Sequence, residues 1–356
     1  MGAEGGTPAD AGSPSGAGAE RQAQEPGATC AVRVTGLRKA FPGRGGRVEA
    51  LRGVDLQVPA GQIYGFLGPN GAGKTTALRI LTTLLRADAG EVVVAGLDVG
   101  SHPAAVRRRI GYVGQRGGAD IEATGRENLV FQGRLYGMAR HETERRADEL
   151  IELLDLAPFC RRIARTYSGG QRRRLEVALG IVHRPDVLFL DEPTLGLDPQ
   201  NRANLWDQLR RLRDTGATVL LTTHYLDEAD QLSDRVAIID NGLVVAEGTP
   251  AELRGRYPAG VTITPRPGFA DLSAVAAELG REPLVREARI DGETIRVDLD
   301  SATTGMAAIF DLLRARGVEV LGVSLREPSL DDVFLHETGR SLRDAGDPAA
   351  MGAIAS

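Results

Sequence analysis

The chain has 356 residues, and 43 Lys and Arg against 48 Asp and Glu leave a net charge of −5, a balance that argues against nucleic-acid binding as the main task. A length of this order makes two folded units the expectation, and 42% hydrophobic with 26% charged residues excludes wholesale disorder. No apolar run approaches the ~18–20 residues of a membrane-spanning helix, no basic-then-apolar secretion signal opens the chain, and Cys30 and Cys160 alone make no disulfide scaffold, so a soluble intracellular protein is expected.

Residues 1–30 are mostly Gly, Ala, Ser, Pro and Glu, the composition of a disordered tail. Residues 31–34 alternate as a strand does, and strand-like and helix-like segments then alternate to about residue 255, the pattern of an α/β domain with a mainly parallel sheet. Within residues 31–255, the stretch 120–165 reads as helices without strands. Ala147, Leu150, Ile151 and Leu154 fall at i, i+3, i+4 and i+7, one face of a helical subdomain inserted in the core. After residue 255 the rhythm changes: a strand at 261–264, a helix at 272–279, a hairpin around Asp291-Gly292, a helix at 306–316 and a strand at 318–325. That βαββαβ order predicts a small ferredoxin-like α+β domain over 256–340, followed by a flexible tail at 341–356.

Gly68-Pro69-Asn70-Gly71-Ala72-Gly73-Lys74-Thr75-Thr76 stands between a predicted strand at 63–67 and a predicted helix at 77–85, the context a P-loop requires. Glycines let backbone N–H groups wrap a phosphate, and the helix aims its positive end at the same point. Lys39 and Lys74 are the only lysines of the chain. At position 74 a compact ammonium can follow the β- and γ-phosphates, where the wide fork of arginine fits badly. Thr75 would place its hydroxyl on Mg²⁺. Downstream, the apolar strand at 187–190 ends in Asp191-Glu192-Pro193, which brings two acids out at the ligand-binding end of the sheet. Asp191 is placed to hold Mg²⁺ through water, and Glu192 is the candidate general base for the attacking water. Ser168 can cap a helix over 171–179, making its positive end a second anion site.

With these motifs in this order, residues 31–255 resemble the nucleotide-binding subunit of an ATP-binding cassette (ABC) transporter. Tyr167-Ser168-Gly169-Gly170-Gln171 is similar to the family's signature sequence, with Tyr where Leu is commonest. The resemblance implies a P-loop NTPase fold of the ABC type with ATP and Mg²⁺ as ligands. It makes Gln115 the Q-loop glutamine, which touches Mg²⁺ and the attacking water and joins the core to the helical subdomain. It makes His224 the switch histidine on the γ-phosphate and Leu197-Asp198 the D-loop that crosses between subunits. Phe41 is the candidate adenine-stacking aromatic, where the family more often has Tyr. The resemblance further implies that the signature faces the P-loop of another copy, in a head-to-tail dimer with two sandwiched nucleotides. Without a membrane span, the chain would pump only by docking on a separate permease.

Arg126-Glu127-Asn128-Leu129 and Glu327-Pro328-Ser329-Leu330-Asp331-Asp332-Val333-Phe334-Leu335 are similar to the daunorubicin-resistance ATP-binding subunit family, which extends the likeness to about residue 340. This implies export of a small hydrophobic drug or antibiotic, powered from the cytoplasmic face of the cell membrane. Read alone, residues 331–335 are a short helix packed against the cassette. The basic clusters Arg107 to Arg109, Arg161-Arg162 and Arg172 to Arg174 read as a solvated helix face, with docking near anionic lipid or a permease loop as the alternative. An importer motor stays open, because a cassette does not encode direction. A soluble ATPase acting on ribosomes or DNA is the other alternative, although the tandem cassettes or long coiled coils of that kind do not appear.

Overall fold

The computed structural model describes residues 30–43, 46–115, 117–266, 271–299 and 302–342. Of the tails expected at 1–30 and 341–356, residues 1–29 and 343–356 lie outside the described residues, and Cys30 opens β1. In chain order come β1 (Cys30–Gly43), β2 (Gly46–Pro59), β3 (Ile63–Leu67), α1 (Lys74–Leu81), β4 (Ala89–Val94), β5 (Leu97–Asp98), α2 (Pro103–Arg109) and β6 (Ile110–Val113). Then follow α3 (Gly125–Leu135), α4 (Arg140–Leu153), α5 (Gly169–Ile181), β7 (Val187–Asp191), α6 (Pro199–Asp214), β8 (Thr218–Thr223), α7 (Leu226–Leu232), β9 (Arg235–Asp240), β10 (Leu243–Gly248) and α8 (Pro250–Gly255).

These strands sort into two sheets by how many faces they bury. β3, β7 and β8 are buried along their whole length, and they lie inside a sheet of order β10-β9-β3-β8-β7-β6, parallel from β9 to β6. Alternate side chains of a strand face opposite sides. Val187 and Phe189 accordingly join the core formed with β1, β2 and α1, while Leu188 and Leu190 join the core under α5, α6 and the helical insertion. Each such side chain contributes about 1.5–3 kcal/mol on burial. The second sheet, β2-β1-β4-β5, is antiparallel. It corrects the expectation of one mainly parallel sheet: β1 buries alternate residues on a single face, so its apolar run is broken by Arg33, Arg38 and Lys39 and reads locally as an isolated strand.

Between β6 and β7 the helical insertion starts from a capping box, with Thr124 accepting from the Glu127 N–H and Glu127 reaching back to the Thr124 N–H. Asn128 ties the preceding loop by accepting from Asp120 N (2.7 Å) and donating to Thr124 O (2.9 Å), and Leu129 is buried. Ala147, Leu150 and Leu154 form a buried face of α4 and the turn after it, with Ile151 at its margin.

The last part holds β11 (Ala259–Pro265), α9 (Leu272–Leu279), β12 (Val285–Asp291), β13 (Thr294–Leu299), α10 (Ala302–Ala315) and β14 (Val320–Arg326), in a sheet of order β12-β13-β11-β14 with every pairing antiparallel. This is the ferredoxin-like arrangement, with its own core of Val261, Ile263, Val275, Leu279, Ile295 and Val297 among others. The helix α11 (Leu330–Thr338) leaves that core and returns to the cassette. Leu330, Val333 and Phe334 pack with Leu67, Val236, Ile238, Ala246 and Leu253, as does Leu342. Ser341 and Leu342, placed in the flexible tail from sequence, therefore belong to packed structure: Leu342 is buried and its N–H donates to Asp331 Oδ1 at 3.2 Å. No helix among the described residues is long and apolar enough to cross a membrane.

Candidate functional site

Strand order assembles the site. β8 lies between β3 and β7, and β6 flanks β7, so the segments leaving the same end of four neighbouring parallel strands converge. They are the glycine loop after β3, His224 after β8, Asp191 and Glu192 at the end of β7, and Gln115 after β6. A cavity of about 430 Å³ is lined by Pro69, Asn70, Gly71, Gly73, Lys74, Thr75, Thr76, Gln115, Glu192 and His224, together with Ala50 and Leu195.

The loop follows its close neighbours. A Cβ at Gly68 would lie 2.3 Å from the Ile239 carbonyl oxygen, and Gly73 combines a φ of +108° with a would-be Cβ 2.5 Å from Ala50 O, so neither position admits a side chain. Lys74 is buried and donates to Gly68 O (2.6 Å) and Pro69 O (3.0 Å), while its Nζ stands 3.6 Å from Glu192 Oε1. His224 Nδ1 approaches the same carboxylate oxygen to 3.3 Å. Burial pushes the Glu192 carboxyl up, but His224 and Lys74 outweigh it and hold the group below the ordinary carboxylate range. For Lys74 burial wins, and the ammonium sits below its ordinary value in spite of Glu192. Asp191 Oδ1 accepts from Thr222 Oγ1 (2.7 Å) and from Thr75 Oγ1 (3.2 Å).

Ser168, Gly169, Gly170, Gln171, Asp198 and Phe41 do not line this cavity. Ser168 caps α5 in a capping box with Gln171, and Asp198 caps α6 by accepting from Asn201 N at 2.9 Å. The two caps abut: a Cβ at Gly170 would lie 2.4 Å from Asn201 Oδ1. Tyr167, the departure from the usual Leu, is buried, donates to Phe159 O (2.9 Å) and accepts from Gly125 N (3.1 Å), which ties α3 to the start of α5. Phe41 is exposed on the β1–β2 hairpin beneath the Lys39 ammonium.

Three buried polar residues have structural roles that the sequence did not assign to them. Thr222 joins the acids, its hydroxyl donating to Asp191 and accepting from Glu192 N at 3.0 Å. Arg173 corrects the reading of a solvated arginine face. It is buried, and its guanidinium donates to Asp191 O, Pro193 O and Gly114 O and pairs with Glu176 at 3.0 Å, bracing β7 against the segment before Gln115. Glu228 is fully buried and accepts from Trp206 Nε1 at 3.3 Å, joining α7 to α6. Burial holds the Glu228 carboxyl above its ordinary value of 4.5, in spite of the hydrogen bond from Trp206. A carboxyl raised on folding costs stability once pH climbs past its unfolded value. Glu228→Gln, which keeps an acceptor for Trp206, is expected to raise Tm at about pH 7.5, with a gain that shrinks as pH falls toward 4.5. Thermal melts across that range check this; a lower Tm at the alkaline end would show a stabilising carboxylate.

A buried ammonium on a glycine loop, with two acids and a histidine at the ends of adjoining parallel strands, defines a P-loop nucleotide-hydrolysing site. Residues 51–195 match the ABC transporter family, and residues 248–338 match the C-terminal domain of DrrA1-3-like ATP-binding proteins. The chain is 48% identical over 321 residues to the daunorubicin/doxorubicin resistance ATP-binding protein DrrA of Streptomyces peucetius, covering 89% of this chain and 94% of that one. It is 38% identical over 318 residues to the Nod factor export ATP-binding protein I of Ralstonia nicotianae, covering 89% and 97%. The dimeric post-hydrolysis ATP-binding cassette MJ0796 bound to ADP and Pi superposes with a TM-score of 0.56 at 26% identity, covering 61% of this chain and 98% of that structure. The chain belongs to the ATP-binding proteins of ABC transporters, and is an ATP-hydrolysing subunit of that family.

Proposed function

We propose that this subunit powers export of a small hydrophobic drug or antibiotic through a separate membrane permease, working as a head-to-tail dimer on the cytoplasmic face of the membrane. One observation carries the dimer: Lys74, Glu192 and His224 converge in one cavity, whereas Ser168 to Gln171 and Asp198 lie outside its lining. In this reading, which the dimeric form of the superposing cassette MJ0796 supports, each copy holds half of a site and the capped end of α5 meets the triphosphate held by the other copy. The cargo class rests on the names of the relatives, which are resistance and export proteins.

In this reading the loop from Gly68 to Thr76, including Ala72, wraps the β- and γ-phosphates, and Lys74 follows them. Phe41 stacks on adenine. Thr75 and Asp191 bring two hard oxygens within 3.2 Å of each other, the donor set that Mg²⁺ takes alongside phosphate oxygens, and Gln115 lines the cavity together with Thr75. Bound there, Mg²⁺ would supply neutralisation of phosphate charge. Glu192 takes the proton of the attacking water as the water oxygen bonds to the γ-phosphorus and the bond to the bridging β-phosphate oxygen breaks, releasing ADP, and His224 hydrogen-bonds the γ-phosphate. ATP closes the dimer, and phosphate loss reopens it; Gln115 passes the motion to the helical insertion and the permease.

Fractionation of cells tests the assignment. With the permease present the subunit is expected to sediment with membranes and to co-purify with that integral protein. With the permease deleted it should appear in the soluble fraction. Membrane attachment that survives the deletion would overturn the partnership.

A further inference from the structure

The turn from β9 to β10 is a clasp on the phosphate loop. Asn241 and Gly242 have φ of +47° and +74°, the two-residue turn that an Asn-Gly pair favours between antiparallel strands. Gly242 donates its N–H to Ala72 O at 3.0 Å and accepts from Arg52 N at 2.9 Å, so the turn is tied to the loop on one side and to β2 on the other. Three residues earlier, the Ile239 carbonyl fills the space that a side chain at Gly68 would need. The β9–β10 hairpin thus meets the loop twice, at its first glycine and again at Ala72.

What holds the turn comes from the far end of the chain. Asp240 is buried at 8% exposure, and one of its oxygens accepts from Asn241 Nδ2 at 2.8 Å. The other accepts from the Arg340 guanidinium at 2.7 Å. Arg340 is placed by packing on either side of it: Phe334 of α11 and Leu342 are both buried in the cluster with Leu67 and Ile238, and Asp331 accepts from Leu342 N. Leu67 is the residue before Gly68, so the cluster that seats Arg340 also seats the strand that feeds the loop.

We propose that Arg340 is a positioning residue for nucleotide binding: through Asp240 and the Asn241-Gly242 turn it holds the phosphate loop at Ala72 in its wrapped form. The loop must place several N–H groups around one phosphate, and glycines supply no side-chain brace of their own. Any ordering done beforehand is ordering that binding need not supply. Coupling of this kind is reciprocal, so nucleotide in the loop also stabilises the seating of α11 and Arg340. The helix that follows the ferredoxin-like unit thereby acts on ATP affinity without touching ATP.

The inference rests on reading the glycine loop as the phosphate cradle, and the test separates the two. Full-length Arg340→Met, Arg340→Lys, Asp240→Asn and Lys74→Ala are titrated with a fluorescent ATP analogue and assayed for KM, kcat and Tm. Arg340→Met is expected to raise Kd and KM about tenfold while kcat stays within about twofold. Arg340→Lys should recover most of the affinity, and Arg340→Met combined with Asp240→Asn should be no worse than the weaker single variant. Bound nucleotide should slow hydrogen exchange at residues 334–342 in the wild type and not in Arg340→Met. A wild-type Kd in Arg340→Met, with or without a lower Tm, overturns the proposal and leaves Arg340 as a mere anchor of α11. Should Arg340→Met fail to fold, Asp240→Asn decides by the same Kd criterion. If Lys74→Ala binds nucleotide normally, the cradle reading itself fails; if only Lys74→Ala loses binding, the cradle stands and the Arg340 link falls.

Discussion

Glu192→Gln is expected to bind ATP and hold it, with turnover lower by ~10²–10⁴-fold, the contribution of a positioned general base. The amide has the carboxylate's shape and can still meet His224 and Lys74, but it cannot take the proton of the attacking water. The backbone there is held independently of the carboxylate, since Glu192 N donates to Thr222 and the residue stands at a φ of +46°. Removing a negative charge beside the triphosphate also lessens repulsion, so nucleotide affinity is expected to hold or tighten. Each site needs two copies, and the stalled complex should therefore elute as a dimer in ATP and as a monomer without it. The charge state follows the same logic. His224 and Lys74 hold the wild-type carboxyl below the ordinary range, so its capacity as a base is intact at neutral pH and is lost only as pH falls through that lowered value. Brisk hydrolysis by Glu192→Gln would remove this residue from the role of base.

Lys74→Ala should fail one step earlier. An ammonium hydrogen-bonded to phosphate oxygens is worth about 1.5–3 kcal/mol, so its loss predicts nucleotide affinity weaker by about 10- to 100-fold. The change also strips a cation from Glu192, which is 9% exposed, and leaves the carbonyls of Gly68 and Pro69 without their donor. Lys74→Arg is not expected to rescue binding, because the planar fork does not fit where a single Nζ meets two carbonyls of one loop. Titration with a fluorescent nucleotide, paired with melts that establish folding, reads the effect. Equal affinity in a folded Lys74→Ala would place the phosphates elsewhere.

The chemical groups of the site are legible along the chain because each is a short contiguous signal: glycines and a lysine between a strand and a helix, two acids closing an apolar run, a serine before a helix. Even the departure at Tyr167 keeps its local meaning, a buried residue before a capped turn. Side-chain period and capping act over a few residues, so they report which positions seek burial and where helices begin. They do not report against what. The strand order β3-β8-β7-β6, which brings Lys74, His224, Glu192 and Gln115 to one cavity, depends on pairing between strands distant in the chain. Arg173 looks like its neighbours Arg172 and Arg174 until the end of β7, Pro193 and the segment before Gln115 close over it and supply three carbonyl acceptors beside Glu176 of its own helix. Asn241-Gly242 announces a hairpin, but that the hairpin grips Ala72, and that Arg340 grips the hairpin from a hundred residues away, follows from packing of α11 on the cassette. Local pattern assigns each residue an appetite for water or for the interior; the choice of partner is a property of long-range contacts, and those exist only in the folded chain.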